Sequence, residues 1–230
     1  SPDGSQVAFM ANPNGPYILF VMNADGSGLR PLGPREDRTR SRGGFAGLDW
    51  SPDGATVVFT VEKKRGFIRS YRTWAVDVAS GAIEPFLPWH DGQVASPDFS
   101  RVSPHIVFTG KKTFGWGVAW ADPDARRVDF ISDDKGACRP QFSPDGRTVA
   151  FVSHAADGKG DIFLMDPAGM NKRRLTERDA THDYFPGWSP DGRTIVFCSS
   201  AESQYPYEGQ WALWTVDVAT KVCARLFDSP

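Results

Sequence analysis

Four copies of one tetrapeptide, Ser-Pro-Asp-Gly, at 1–4, 51–54, 143–146 and 189–192, organise this chain of 230 residues. Eight residues after each serine an apolar triplet closes on phenylalanine: Val7-Ala8-Phe9, Val57-Val58-Phe59, Val149-Ala150-Phe151 and Ile195-Val196-Phe197. A fifth copy keeps Ser100 and, eight residues on, Phe108 in Ile106-Val107-Phe108, but reads Arg101-Val102-Ser103 where the others have Pro-Asp-Gly. Ser96-Pro97-Asp98, just upstream, is out of frame. Starts at 1, 51, 100, 143 and 189 give spacings of 50, 49, 43 and 46, and Ser229-Pro230 opens another copy 40 residues later. A period of this length means that one supersecondary unit is stacked against copies of itself.

Each unit reads as four strands. An aromatic residue stands just before the serine (Trp50, Phe99, Phe142, Trp188) and closes a first strand, as in 183–188. In the turn that follows, proline fixes φ, aspartate accepts backbone hydrogen bonds and glycine takes positive φ. The apolar triplet is the second strand. A third ends in Asp or Asn, over 18–23, 73–77, 118–122, 162–166 and 213–217. A short polar turn leads to a fourth, as at Arg173-Arg174-Leu175-Thr176 or Ala224-Arg225-Leu226. Four short strands per unit with no helical periodicity between them predict an all-β fold, a β-propeller of four-stranded antiparallel blades. Five repeats are visible, in a natural ring of five or six. The whole of 1–230 is expected to form a single propeller, an excerpt of a longer chain, because the first repeat lacks the strand that precedes its serine.

The Ser-Pro-Asp-Gly turns, the Trp or Phe before them, and Arg173-Arg174-Leu175-Thr176 together resemble the TolB-like propeller repeat family, with Phe185 to Gly192 especially close to its pattern. The resemblance covers essentially the whole chain. It implies the fold and a periplasmic or extracellular location. It does not single out an activity, since one repeat serves unrelated roles. TolB itself has an α/β domain before its propeller, and no such domain is present in this sequence.

Composition narrows the field. A formal net charge of −2 and the absence of any nucleic-acid motif argue against nucleic acid as a partner. No apolar run approaches the roughly 18 residues that span a bilayer. Three scattered cysteines (Cys138, Cys198, Cys223) make neither a disulfide framework nor a zinc pattern and read as small apolar residues. Neither a Gly-x-Ser-x-Gly elbow nor a phosphate-cradling glycine loop occurs, and adjacent His182 and Asp183 would point to opposite sides of a strand. No catalytic residue, metal ligand or cofactor site is therefore expected, although His90, His154 and His182 share one end of the blades.

That end carries the loops of variable length, where function usually resides on a rigid scaffold. It is basic: Arg35, Arg38, Arg40 and Arg42 in one link, Lys63, Lys64, Arg65 and Arg69 in a loop over 62–69, Lys111 and Lys112 in the next. Aligning inner strands on Gly47, Pro97, Pro140 and Pro186 brings Arg42, Gln93, Lys135, Arg139, His182, Asp183 and Tyr184 towards one mouth, the expected ligand site. Tyr205, Tyr207 and Trp211 offer a further platform for a sugar. The expected function is a non-catalytic scaffold for a protein segment or an acidic saccharide. The alternative is the propeller part of an enzyme, like oligogalacturonate lyases, which hold a metal through histidines, or prolyl-oligopeptidase-family proteins.

Overall fold

The computed structural model describes residues 1–11, 17–33, 45–65, 68–113, 115–132, 134, 136–178, 181–201 and 210–228. No helix occurs among them. In the first sheet β1 (Gln6–Ala11), β2 (Ile18–Asn23) and β3 (Arg30–Pro31) pair in that order. The second sheet runs β4 (Phe45–Trp50), β5 (Thr56–Arg65), β6 (Ile68–Asp77), β7 (Ile83–Pro85), and the third β8 (Val94–Phe99), β9 (Ile106–Lys111), β10 (Trp116–Asp122), β11 (Arg127–Ser132). The fourth holds β12 (Cys138–Phe142), β13 (Val149–Ser153), β14 (Asp161–Met165), β15 (Arg173–Arg174), and the fifth β16 (His182–Trp188), β17 (Thr194–Ser200), β18 (Ala212–Asp217), β19 (Cys223–Asp228). Consecutive strands pair antiparallel, so these are the up-and-down blades that the repeat predicts. Two compact units, 1–99 and 100–230, divide at the serine of the third repeat.

The repeat turn explains itself atom by atom. Ser143 Oγ donates to Asp145 Oδ1 at 2.6 Å and accepts from Thr148 N–H at 3.0 Å, while Asp145 Oδ1 accepts from Arg147 N–H at 3.1 Å. The same set recurs around Ser51 and Ser189. Gly54, Gly146 and Gly192 adopt φ of 71°, 68° and 70°, the conformation glycine was expected to supply. In the degenerate third repeat Ser100 Oγ keeps only a 3.3 Å bond from Val102 N–H, and Ser103 Oγ meets His105 Nδ1 at 3.2 Å. The Asp-ended turns lie at the same end of each blade, because Val78 N–H donates to Ala55 O and Val218 N–H to Arg193 O, each at 2.9 Å.

Four of the five repeat phenylalanines are among the deepest side chains, while Phe9 is half-buried. Phe59, Phe108, Phe151 and Phe197 are all fully buried. In the first unit Leu19, Val21, Trp50, Val57, Phe59 and Val76 form one cluster. In the second, Val107, Val118, Phe142, Phe151 and Met165 form another, and Val152, Ile162, Leu164, Leu175, Phe197 and Val216 a third. Trp188 packs against this last cluster and its Nε1–H reaches Gln141 O of the neighbouring inner strand at 3.2 Å. One loop expectation is corrected: 62–65 and 68–69 are strand, because the β5–β6 ladder continues to the pair Arg65↔Ile68.

Candidate functional site

Every inner strand carries the same irregularity. Gly47, Ser96, Arg139 and Phe185 each stand four residues before their repeat serine, and each has positive φ: 130°, 47°, 52° and 58°. The ladders slip there, between Phe45 and Leu48, Cys138 and Gln141, and Tyr184 and Gly187. These are β-bulges, which re-aim side chains. They also correct the alignment by one residue: Gly47 matches Ser96, Arg139 and Phe185, not the prolines that follow those three. Proline at the next position has no N–H for the ladder, which is why it marks the slip.

Within each unit the bulge residues meet their counterpart. In the first, a Cβ on Gly47 would lie 2.9 Å from Ser96 Cα. In the second, the Arg139 guanidinium lies 4.4 Å from the Phe185 ring centre and 5.2 Å from that of Tyr184. Arg139 N–H is anchored on Thr109 Oγ1 at 2.8 Å, and its side chain donates to Cys138 Sγ at 3.4 Å. No carboxylate among the described residues pairs with this guanidinium. Phe185 is 40% exposed, an unusual state for a ring held at positive φ. A guanidinium over an aromatic ring can attract an anionic or π-bearing group.

Tyr184 is buried behind this surface. Its OH bonds His154 Nε2 at 2.6 Å, and Trp211 meets its ring edge-on at 6.2 Å. Gly160 and Gly136 leave room for the pair, since a Cβ on the first would strike the tyrosine ring and on the second the His154 ring. His182 stacks obliquely on Tyr184, its Nδ1 is buried without a hydrogen-bond partner, and burial together with nearby Lys159 lowers its pKa. Asp183 turns the other way, wholly buried: Ser199 Oγ and Thr181 Oγ1 donate to its Oδ1 at 2.6 and 3.1 Å, and Arg178 Nη1 lies 3.6 Å off. Desolvation raises its pKa despite these donors. Asp161, also wholly buried, bonds Arg174 at 2.9 Å, and burial pushes its pKa to about 6.

Of the residues expected at the mouth, Arg139, His182 and Tyr184 therefore form one group in the second unit, with Asp183 adjoining it from behind. Gln93 belongs to the first unit, where its Oε1 accepts from Tyr71 N–H at 2.9 Å beside a cleft of about 400 Å³ that also meets His90 and Phe86. Arg42 and Lys135 lie outside the described residues, as do Arg35, Arg38, Arg40, Tyr205 and Tyr207. Lys111 and Lys112 rest over Trp116 and Phe130 at 5.0 and 5.1 Å. Among the described residues no three His, Cys, Asp or Glu side chains are grouped to hold a metal ion. Phe185 joins this group, and its only signal in the sequence is the Phe-Pro step.

Blades of this kind, with a bulge repeated on the inner strands, define a β-propeller. No model of a known protein family matches the chain. A TolB homolog of Chlorobium luteolum is 28% identical over 171 residues, 71% of this chain and 34% of that protein. The structure of TolB from Acinetobacter baumannii matches with a TM-score of 0.75 at 20% identity, over 98% of this chain and 53% of that one. An oligogalacturonate lyase in complex with manganese matches with a TM-score of 0.62 at 18% identity, over 100% of this chain and 64% of that one. The chain thus spans about a third of the curated relative and about half of the Acinetobacter protein. The fold is that of a TolB-like β-propeller.

Proposed function

We propose that this protein is a non-catalytic binding scaffold, working in the periplasm or outside the cell, whose bulge surface captures a protein segment bearing an acidic side chain. The observation that carries the reading is Arg139, laid over Phe185 and Tyr184 with no carboxylate partner among the described residues. A carboxylate docking there would gain a charge-assisted, two-point hydrogen bond, and an apolar neighbour on the partner would cover Phe185. His182 borders the surface. Asp183 takes a different role, holding the inner strand in place. The likeness to TolB supports a protein partner and an extracytoplasmic location.

The test is fluorescence polarisation with a labelled glutamate-rich peptide and its glutamine counterpart. The acidic peptide should bind, and binding should weaken as the screening length falls below about 10 Å. Arg139→Gln with Phe185→Ala should abolish it, while Asp145→Asn in a repeat turn should not. Equal binding of both peptides, or equal loss in both variants, overturns the reading. A catalytic role draws on the likeness to the lyase fold alone; stoichiometric manganese in the purified protein would favour it.

A further inference from the structure

A second recess lies in the 100–230 unit. It is a pocket of about 250 Å³ between the segment before β16 and the outer half of the last sheet, lined by Arg178, Thr181, Ser199, Trp211, Trp214 and Arg225. Strand register explains why these side chains converge. Trp214 is the cross-strand partner of both Phe197 and Arg225, and Ser199 is the partner of Ala212. Opposed residues project to the same face and alternate residues share it, so β17, β18 and β19 offer Ser199, Trp214 and Arg225 on one side.

Arg178 completes the wall. Its guanidinium lies 3.7 Å from the centre of the Trp214 ring, and its Nη1 donates to Ser199 Oγ at 3.0 Å. Behind it the buried Asp183 is 3.6 Å away, already accepting from Ser199 and Thr181. That backing holds the fork in place without consuming it, since only Nη1 is committed and the side chain remains 23% exposed. A fixed guanidinium fork, a second arginine and two indole rings around a cavity that holds one six-membered ring describe a single kind of guest.

We infer that this pocket binds a small ring-bearing carboxylate: the carboxylate on the Arg178 fork with Arg225 beside it, the ring against Trp211 and Trp214. Its lining residues differ from those of the Arg139 surface, with Trp211 meeting the Tyr184 ring at 6.2 Å between the two, so variants at Arg178 and Arg225 test this pocket by itself. Sugar acids and aromatic acids share this chemistry.

The experiment follows the indole N–H resonances of Trp211 and Trp214 by heteronuclear NMR during titration with galacturonate, benzoate and galactose. Saturable shifts with either acid and none with galactose are expected, and whichever acid binds more tightly identifies the source. Arg178→Lys keeps the charge opposite Asp183 but loses the fork, and should weaken binding on the order of tenfold, the loss of one charge-assisted hydrogen bond. Arg225→Gln, on the outer strand, provides a variant that leaves Asp183 its cation and should also weaken binding. Asp145→Asn, in a repeat turn, should leave the titration unchanged. Absence of shifts with both acids, equal shifts with galactose, or wild-type affinity in both Arg178→Lys and Arg225→Gln overturns the inference.

Discussion

Gly47 and Phe185 occupy equivalent bulges and face opposite demands. At Gly47 the backbone sits at φ 130° and any Cβ would press on Ser96 Cα at 2.9 Å, so no side chain fits. Gly47→Ala should cost roughly 2–3 kcal/mol of stability in a urea melt, combining strain with a contact to backbone that cannot move aside. Phe185 instead keeps a bulky ring at φ 58°, 40% exposed. Strain of this sort is retained where a side chain must be presented. Phe185→Gly should leave stability within about 1 kcal/mol of the parent, because relieved strain offsets the lost ring contacts. The same variant should lose the acidic peptide. A large fall in stability with binding intact would show that the ring serves packing instead.

The repeat turn depends on the hydroxyl of its serine. Ser143 is buried and its Oγ is at once donor to Asp145 and acceptor for Thr148 N–H. Ser143→Ala leaves that N–H without its partner and should cost about 1–2 kcal/mol. Ser100→Ala should cost less, since in the degenerate turn the hydroxyl accepts one long bond only, from Val102 N–H. The comparison is a thermal melt of the two variants under one buffer. The Phe151 side chain supports the second strand of the same blade with no exposure at all, so Phe151→Ala should cost roughly 3–5 kcal/mol.

Across the molecule, buried and exposed carboxylates respond to pH in opposite senses. Asp161 has a folded pKa of about 6, above its unfolded value, through burial that outweighs Arg174 and is reinforced by Asp157 and Asp183. Its contribution is therefore fully present below about pH 4 and is lost as pH rises through 6. The exposed turn aspartates run the other way: hydrogen bonds from Ser51, Ser143 and Ser189 lower the pKa of Asp53, Asp145 and Asp191, so their help is present above about pH 4 and fades below it. His182, with a lowered pKa, also opposes Asp161 as pH falls through its unfolded value. Asp161→Asn isolates the first effect. Between pH 4.5 and 8 the parent should lose on the order of 2–3 kcal/mol relative to the variant, read from melts at matched ionic strength. Parallel pH profiles would assign the carboxylate no such role.

What the sequence determined by itself is the repeating part. Serine, proline, aspartate and glycine at fixed offsets close a turn through bonds that reach no further than five residues, and phenylalanine eight residues on has a single place to go. Those interactions are local, so the strand order, the turn geometry and the burial of Phe59, Phe108, Phe151 and Phe197 were legible before any coordinates. Partly legible was the site: Arg139, His182 and Tyr184 do gather, but the bulge that aims Arg139 at Phe185 was hidden behind a one-residue misalignment at Gly47. The rest depended on residues far apart in the chain. Arg178 on Trp214, Tyr184 on His154 and Asp161 on Arg174 are pairs whose partners the repeat does not encode, because blade packing, not sequence spacing, sets which side chains share a face and how much water reaches them. Burial then decided the chemistry, raising one aspartate and leaving its exposed counterparts low.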